Sequence, residues 1–596
     1  MDVIKKKPSN KRDAAKDPYS TMWPWITVSV TIWIALIIRL NFAFTASKIP
    51  FNFLSDSSQY VAWAKSIAAG KEFISVYHQS PLYPFFLALI FTVFGPSIKY
   101  ALIVQAIIGA ITCLLVFYLS MILFKHIWMA VASAFVMAFY APAIFYNGMV
   151  LMASLVIFLY LVFLIILVKA LEGNKKWLWA SAGIALGISA LARATILLFI
   201  PFLMVILALR ARYEWRRKKG DARRTTTLHI MDSFVYPLAI FLVCTFLIIL
   251  PVTVRNYIKG KDFVLIAANA GITFYEGNNP WATGQYMDPP GLDLAEDFNG
   301  EKIASYYEKR TLRPSEISKF WFKESGRFIK ERPVAYISLL LRKLLYFWNR
   351  YEIPNAENIY FARQYSRILQ TPLFSFLFAG SLGLLGIMMA LTKKIFNAFV
   401  VILFIFAHMI ATVMFFVTSR YRLPITPLLI IFMVYAFFML VNYIKEKDYS
   451  HGFIWVLAGI FFFCIVSFPW KGLNPSHDYA SSYGNIGILF HRTGNPRKAI
   501  RYFEMAIEYD PTYIKSYNNI GGLHYLIGNR QKAREYWERG LELDPNFALI
   551  HQNLGTMYLE QGEIEKAIES LSIAATRLPY SIKIKELQDT LGFSPS

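Results

Sequence analysis

Apolar and polar positions divide this chain into two regimes. Through most of residues 23–470, long apolar runs alternate with short charged loops, whereas residues 478–596 follow a period of 34 residues. Apolar runs of this length suit membrane-spanning helices, since roughly 20 residues cross a bilayer core. Spans are expected at 23–45, 97–124, 127–145, 150–168, 177–192, 195–209, 230–254, 372–391, 396–417, 423–443 and 453–468, about eleven in all by this criterion. The run at 84–94 is apolar but too short, and reads as an interfacial or re-entrant helix. The fold class expected is an all-α polytopic membrane protein with a C-terminal solenoid. A loop subdomain at 255–368 holds only short apolar runs; weak alternation at 264–277 suggests short strands, and 314–332 suggests a helix.

Composition agrees with this reading. Hydrophobic residues make up 56% of the chain and charged residues 17%, with a mean hydropathy of +0.43. The net charge of +23 does not point to nucleic acid, because the basic residues sit mostly in short loops between spans, where the positive-inside rule accounts for them. Lys5–Lys7, Lys11 and Arg12 assign the tail, residues 1–22, to the cytoplasm. The run RARYEWRRKKGDARR, beginning at Arg210, marks the same side. The first loop (46–96), the large loop (255–368) and the C-terminal region then face outward. Cys113, Cys244 and Cys464 all fall in apolar runs and suggest neither a disulfide framework nor a metal cluster.

The C-terminal repeat is specific. Tyr483, Ile486, Gly487, Phe490, Gly494, Ala499, Phe503, Ala506 and Pro511 are followed 34 residues later by Tyr517, Ile520, Gly521, His524, Gly528, Ala533, Trp537, Gly540 and Pro545. A third set begins at His551 and ends at Pro579. This is the tetratricopeptide pattern, with units at 480–513, 514–547 and 548–581 and a capping helix at 582–591. Such repeats present a concave surface for a protein partner.

The candidate chemistry lies in the outer loops. Asp56 opens a helical pattern in which Tyr60 shares its face, and His78 and Glu72 follow in the same loop. Asp56-Ser57-Ser58 also suits a helix N-cap, so the residues alone leave base, metal-ligand and cap readings open. Arg255, Asn278, Asn279, Arg420 and Arg422 lie at outer span ends or in the large loop, with Arg193 a further, weaker candidate. Two arginines at a non-cytoplasmic interface suit a lipid phosphate, because the guanidinium fork matches its oxygens; single arginines at span ends commonly reach only for headgroups.

Asp56 in the first outer loop, then Pro81-Leu82-Tyr83-Pro84 and Phe94-Gly95, resembles the GT-C superfamily of membrane glycosyltransferases, in particular its protein O-mannosyltransferase and aminoarabinose transferase branch. The aromatic run ending in Gly148, the segment RNYIKGKDFVLIAANAGITFYEGNNPWATGQY and the motif SRYRLPI resemble bacterial members fused to tetratricopeptide repeats. The resemblance implies transfer of a sugar from a polyprenyl-phosphate donor to an acceptor hydroxyl of a protein or glycan, on the outer face of a bacterial inner membrane and with inversion. It implies that Asp56 is the base and that Arg420 and Arg422 hold the donor phosphate, with Arg255, Tyr60, His78, Asn278 and Asn279 as further substrate contacts. No cofactor is required, and a divalent cation stays open. Ser57, Gln79, Met152 and Ala153 stand where many relatives carry a second acid, which bears on any metal. The alternative is a non-catalytic membrane scaffold whose repeats assemble partners for envelope glycans.

Overall fold

A backbone surrounded by lipid must satisfy its own hydrogen bonds, and the apolar runs accordingly fold as helices. The computed structural model describes residues 18–592 except 51–54, 72–74, 174, 218–230, 293, 295, 296, 298 and 372; Glu72 and most of the N-terminal tail lie outside the described residues. Among those described, eight helices are long and apolar enough to cross a membrane: Met22–Ala46, Ile98–Phe124, Ala153–Gly173, Ala194–Tyr213, Met231–Gly260, Phe396–Met414, Ser419–Lys445 and Tyr449–Ser467. Three other expected spans are the shorter apolar helices Ile127–Ala138, Lys176–Ala192 and Phe376–Thr392, and the expected interfacial segment is the helix Leu82–Phe94.

The run expected to span at 127–145 is not one helix. It breaks after Ala138 and resumes as Ala141–Asn147. Pro142, in the first turn of the second piece, brings no amide hydrogen and cannot continue the first helix. The break leaves carbonyls without helical partners, and Arg39 of the first span meets them. Its guanidinium donates to the carbonyls of Met137 (3.0 Å) and Ala138 (3.0 Å) and to Asn147 Oδ1 (2.9 Å). Arg39 is 1% exposed, and an ion inside a span is tolerated when its donors are used in this way. Phe374 completes the junction by pairing its backbone with Phe139 and Ala141.

The loop subdomain is helical as well. Pro314–Glu331 forms as expected and Pro333–Trp348 follows it. The latter helix exposes Val334, Ile337 and Leu341 while burying Leu339, Tyr346 and Phe347, a division suited to lying along a membrane surface. The short strands expected at 264–277 do not form. Residues 270–277 make a helix, and the carbonyls of Val264 and Ile266 accept from the buried side-chain amide of Asn256 instead of from a neighbouring strand. Alternation here reflects a loop pinned on a helix end.

The repeats are helix pairs: Pro475–Arg492 with Pro496–Tyr509, Ile514–Leu526 with Arg530–Leu543, and Ala548–Glu560 with Ile564–Arg577, closed by Ile582–Leu591. Gly487, Gly521 and Gly555 recur because a Cβ there would collide with Phe503, Trp537 and Leu571 of the paired helix. Both ends of the solenoid are fastened to the loop subdomain. At the first repeat, Asp478 Oδ2 accepts from the Tyr351 hydroxyl at 2.9 Å and Phe361 packs on Tyr479 and Tyr483. At the far end, Tyr580 sits among Tyr275, Tyr307 and Trp321 and shares a 2.7 Å hydroxyl contact with Tyr275. The repeats and the large loop therefore share one face of the molecule.

Replacing Arg39 by Met should strand the carbonyls at the helix break. A loss of about 3 kcal/mol is expected from charged hydrogen bonds of this kind, read as a lower melting temperature of the purified protein in detergent. An unchanged melting temperature would show that the break is held by Pro142 and Phe374 alone.

Candidate functional site

Asp56 is the second residue of the helix Ser55–Ala68, where the helix dipole favours a negative charge. Arg420 lies on the turn Ser419–Arg422 that opens a long span. The two meet: Arg420 Nη1 donates to Asp56 Oδ2 at 2.7 Å, with side chains 6% and 22% exposed respectively. Arg420 Nη2 also donates to the Tyr421 hydroxyl at 3.3 Å. The Arg193 guanidinium stacks on the same Tyr421 ring, 4.0 Å from the centroid. Tyr60 is buried one helical turn beyond Asp56, edge-on to Tyr83 at 5.1 Å between centroids.

Two acids not singled out in the sequence complete the surroundings. Glu357 is 1% exposed and Glu276 is 7% exposed. Burial raises both carboxyls above the ordinary range. For Glu357, Arg420 opposes this and Asp56 reinforces it; for Glu276, Asp288 and Asp56 reinforce it and Arg420 opposes it. Both Glu357 carboxyl oxygens, Ser57 Oγ and Thr418 Oγ1 are buried without a hydrogen-bond partner from another residue, and Arg420 Nε is buried without an acceptor. Buried polar atoms are nearly always paired. A group of unpaired ones around a single ion pair marks a place prepared for something polar. The segment carrying Glu357 is itself held close to Arg420, because the Ser419 amide donates to the Ile353 carbonyl at 2.8 Å and the Ser419 hydroxyl meets that of Tyr146 at 2.6 Å.

The remaining sequence candidates serve the framework. Arg422, expected to hold phosphate, is 1% exposed and has its donors engaged by Glu352 at 2.9 Å and by the carbonyls of Phe347, Asn349 and Tyr351, while its plane lies 3.4 Å from the Phe376 ring centroid. Arg255 pins the first loop, donating to the Ser75 carbonyl and stacking on Tyr77. His78 contacts Asn299, and no contact among the described residues joins it to Asp56. Asn278 donates to the carbonyls of Phe274 and Met414 and accepts from Lys343, whose burial lowers its pKa to about 7. Asn279 closes the end of its own helix through Tyr275, Glu276 and Trp281. Of the expected contacts, then, Asp56, Tyr60 and Arg420 come together, with Arg193 joining them. The only hint of Glu276 and Glu357 in the sequence was an acid within each Asn- and aromatic-rich stretch, YEGNN and NAENIY.

Among the described residues, no group of three or more His, Cys, Asp or Glu side chains is arranged to hold a metal ion.

Residues 78–231 match the family described as Dolichyl-phosphate-mannose-protein mannosyltransferase. The matched segment lies inside the membrane domain. It stops short of Asp56 on one side and of Arg420 on the other. Residues 480–513, 514–547 and 536–569 match tetratricopeptide repeat families, so the expected union of a GT-C-type membrane part with repeats is borne out. No curated protein matches the chain. Among solved structures, the oligosaccharyltransferase of Archaeoglobus fulgidus, in complex with Zn and sulfate, overlays at 14% identity with a TM-score of 0.38, covering 79% of this chain and 56% of its own. The chain thus spans little more than half that protein's length. The Cut9–Hcn1 hetero-tetramer of the APC/C overlays at 12% identity with a TM-score of 0.19, covering 92% of this chain and 98% of its own. Neither overlay bears on the site. The chain is a multi-pass membrane protein carrying tetratricopeptide repeats, and its residues 78–231 are similar to a mannosyltransferase family.

The raised carboxyls imply a pH dependence of stability. A carboxyl whose folded pKa lies above its unfolded value of about 4.5 binds its proton more tightly when folded, so stability is lost as pH rises from there toward the folded value. Glu357→Gln removes one such group. The variant's melting temperature should gain on the wild type between pH 4.5 and 7.5; a difference that stays constant with pH would show that Glu357 ionises normally.

Proposed function

We propose that the protein transfers a sugar from a polyprenyl-phosphate donor to an acceptor hydroxyl at the extracytoplasmic face of a bacterial inner membrane. The observation that carries this reading is the buried Asp56–Arg420 pair, 2.7 Å apart and surrounded by unpaired polar atoms. The mannosyltransferase-type segment at 78–231 supports it. The loop-charge pattern supports the outward orientation.

In this reading Asp56 is the general base. Held against Arg420, it can accept the proton of an acceptor hydroxyl within hydrogen-bond reach. The hydroxyl oxygen attacks the anomeric carbon as its proton passes to Asp56. The bond from that carbon to the phosphate oxygen breaks, and the electron pair leaves with the polyprenyl phosphate. Arg193, stacked on Tyr421 without an acidic partner among the described residues, and Arg420 are the guanidinium groups near enough to take up that developing charge in a water-poor site. A single displacement inverts the anomeric centre. Glu357 and Glu276, whose carboxyls burial raises above the ordinary range, offer further oxygens to sugar hydroxyls. Arg422 holds the floor beneath Arg420 and stays out of the chemistry. A divalent cation could assist at the phosphate, but no step above depends on one.

Asp56→Asn should lower transfer by a factor of at least a thousand with insertion and melting temperature preserved, and Arg193→Ala should cost roughly a hundredfold, the size typical of one lost charge-stabilising donor. Transfer is read with a radiolabelled polyprenyl-phosphate sugar and purified protein. Normal turnover by Asp56→Asn would sink the assignment and leave a scaffold role for the repeats.

A further inference from the structure

We infer that a strip of half-exposed tyrosines, where the first repeat meets the loop subdomain, binds a neutral oligosaccharide. The strip runs over Tyr365, Tyr479, Tyr483, Tyr502 and Tyr509. The inference rests on the transferase reading only in treating that glycan as the sugar acceptor.

Tyr365 belongs to the loop subdomain, and the other four stand on the helix pair of the first repeat, Pro475–Arg492 and Pro496–Tyr509. Tyr479 and Tyr509 are stacked, with centroids 4.2 Å apart and planes 17° from parallel. Tyr483 continues the row, lying 6.5 Å from Tyr509 and 6.5 Å from Tyr502, and Tyr502 is stacked on Phe490 at 5.2 Å. On the loop side, Phe361 lies 4.8 Å from Tyr483 and 5.8 Å from Tyr365. Tyr509 is 49% exposed and Tyr365 37%, while Tyr479, Tyr483 and Tyr502 are partly exposed. Solvent therefore reaches the row along its length.

Neither the repeat fold nor the junction requires these hydroxyls. At the places of Tyr479, Tyr483, Tyr502 and Tyr509 the third repeat carries Phe547, His551, Ser570 and Arg577, and it forms the same helix pair. Three tyrosines elsewhere on the contact between repeats and loop subdomain do use their hydroxyls. Tyr351 donates to Asp478, Tyr307 donates to the Pro579 carbonyl, and Tyr580 meets Tyr275. In the strip, by contrast, the five hydroxyls make no hydrogen bond among the described residues. Burial and the neighbouring tyrosines push the Tyr365 hydroxyl up to about 12, so it keeps its proton and its capacity to donate.

A pyranose carries C–H bonds on its faces and hydroxyls around its edge. Aromatic faces are negative and attract the slightly positive C–H hydrogens, and a tyrosine hydroxyl both donates and accepts, as each sugar hydroxyl does. A row of rings with free hydroxyls at their edges therefore matches a chain of sugar rings on both counts. Proline-rich peptides also lie on aromatic rings, but a proline has no amide hydrogen and offers the hydroxyls acceptors only. The strip also leads to the site. The Asn358 side chain accepts from the amides of Tyr360 and Phe361 and donates to the Asp478 carbonyl. This fixes Phe361 against the repeats, and Asn358 directly follows Glu357. A glycan on the rings thus runs beside the segment that carries one of the buried acids.

The test uses the full-length protein in detergent, without donor. Fluorescein-labelled cellohexaose and mannohexaose are the probes, and an unlabelled proline-rich peptide is the competitor. Tyr509→Ala and Tyr365→Ala, at the most exposed rings, should each weaken binding of at least one hexasaccharide about tenfold, at an unchanged melting temperature. Tyr509→Phe keeps the ring, drops the hydroxyl and should cost about threefold. If an alanine variant fails to fold, Tyr509→Leu, which copies the second repeat, carries the same reading. Hexasaccharide binding indifferent to these residues, no binding of either hexasaccharide, or displacement by the peptide would each overturn the inference. Binding is measured without transfer. Strip-dependent binding of a hexasaccharide that is never extended would therefore defeat only the transferase reading, and its extension at an unchanged KM in the alanine variants would defeat only the strip.

Discussion

The contact on which the site depends is the ion pair between Asp56 and Arg420, made by residues 364 positions apart. A buried ion pair adds little net stability, because desolvating two charges offsets most of their attraction, yet removing one partner leaves the other charge uncompensated. Such a pair is therefore better understood as a registration device. It sets the start of the helix Ser55–Ala68 against the start of the span Ser419–Lys445, and any arrangement of the intervening helices must allow it. A ligand that supplies or withdraws charge at this point acts directly on the contact that joins the first loop to the membrane core.

Around this pair two buried arginines have their donors engaged by the framework. Arg422 spends its donors on Glu352 and on three carbonyls, and Arg39 does the same at the helix break beside Asn147. At the centre, by contrast, Glu357, Ser57, Thr418 and Arg420 retain unpaired buried atoms. Unpaired buried polar atoms gathered beside an ion pair suit a preorganised site, since a ligand can complete them. The repeats belong to the framework as well, because each end of the solenoid rests on a segment that carries one of the buried acids.

Much of the architecture was legible in the chain itself. Apolar runs of span length mark helices because lipid leaves the backbone no other partner, and the 34-residue recurrence of Gly487, Gly521 and Gly555 marks helix pairs because nothing larger fits against Phe503, Trp537 and Leu571. Two local readings failed for tertiary reasons. The segment at 127–145 has the hydropathy of one span, but Arg39 and Phe374 stabilise a break that Pro142 only permits. The alternation at 264–277 suggested strands, but the Asn256 side chain takes the carbonyls a strand partner would need.

The site was legible in part. Asp56 and Arg420 stood out because charges at span ends on the outer side are few, and each has chemistry suited to the other. Arg422 looked equivalent to Arg420 in sequence, and only the fold separates them: a two-residue step around the turn aims one guanidinium at Asp56 and the other at Glu352 and the carbonyls behind it. Glu276 and Glu357 gave no periodic or motif signal, since a carboxylate in a loop is most often solvated, and nothing local says that it will be buried beside another acid. The sequence by itself determined the helical membrane class and the repeats, because these follow from solvent and spacing along one stretch of chain. The identity of the paired, the free and the structural charges was decided only by tertiary structure, because desolvation and Coulomb interaction act between residues that folding alone brings together.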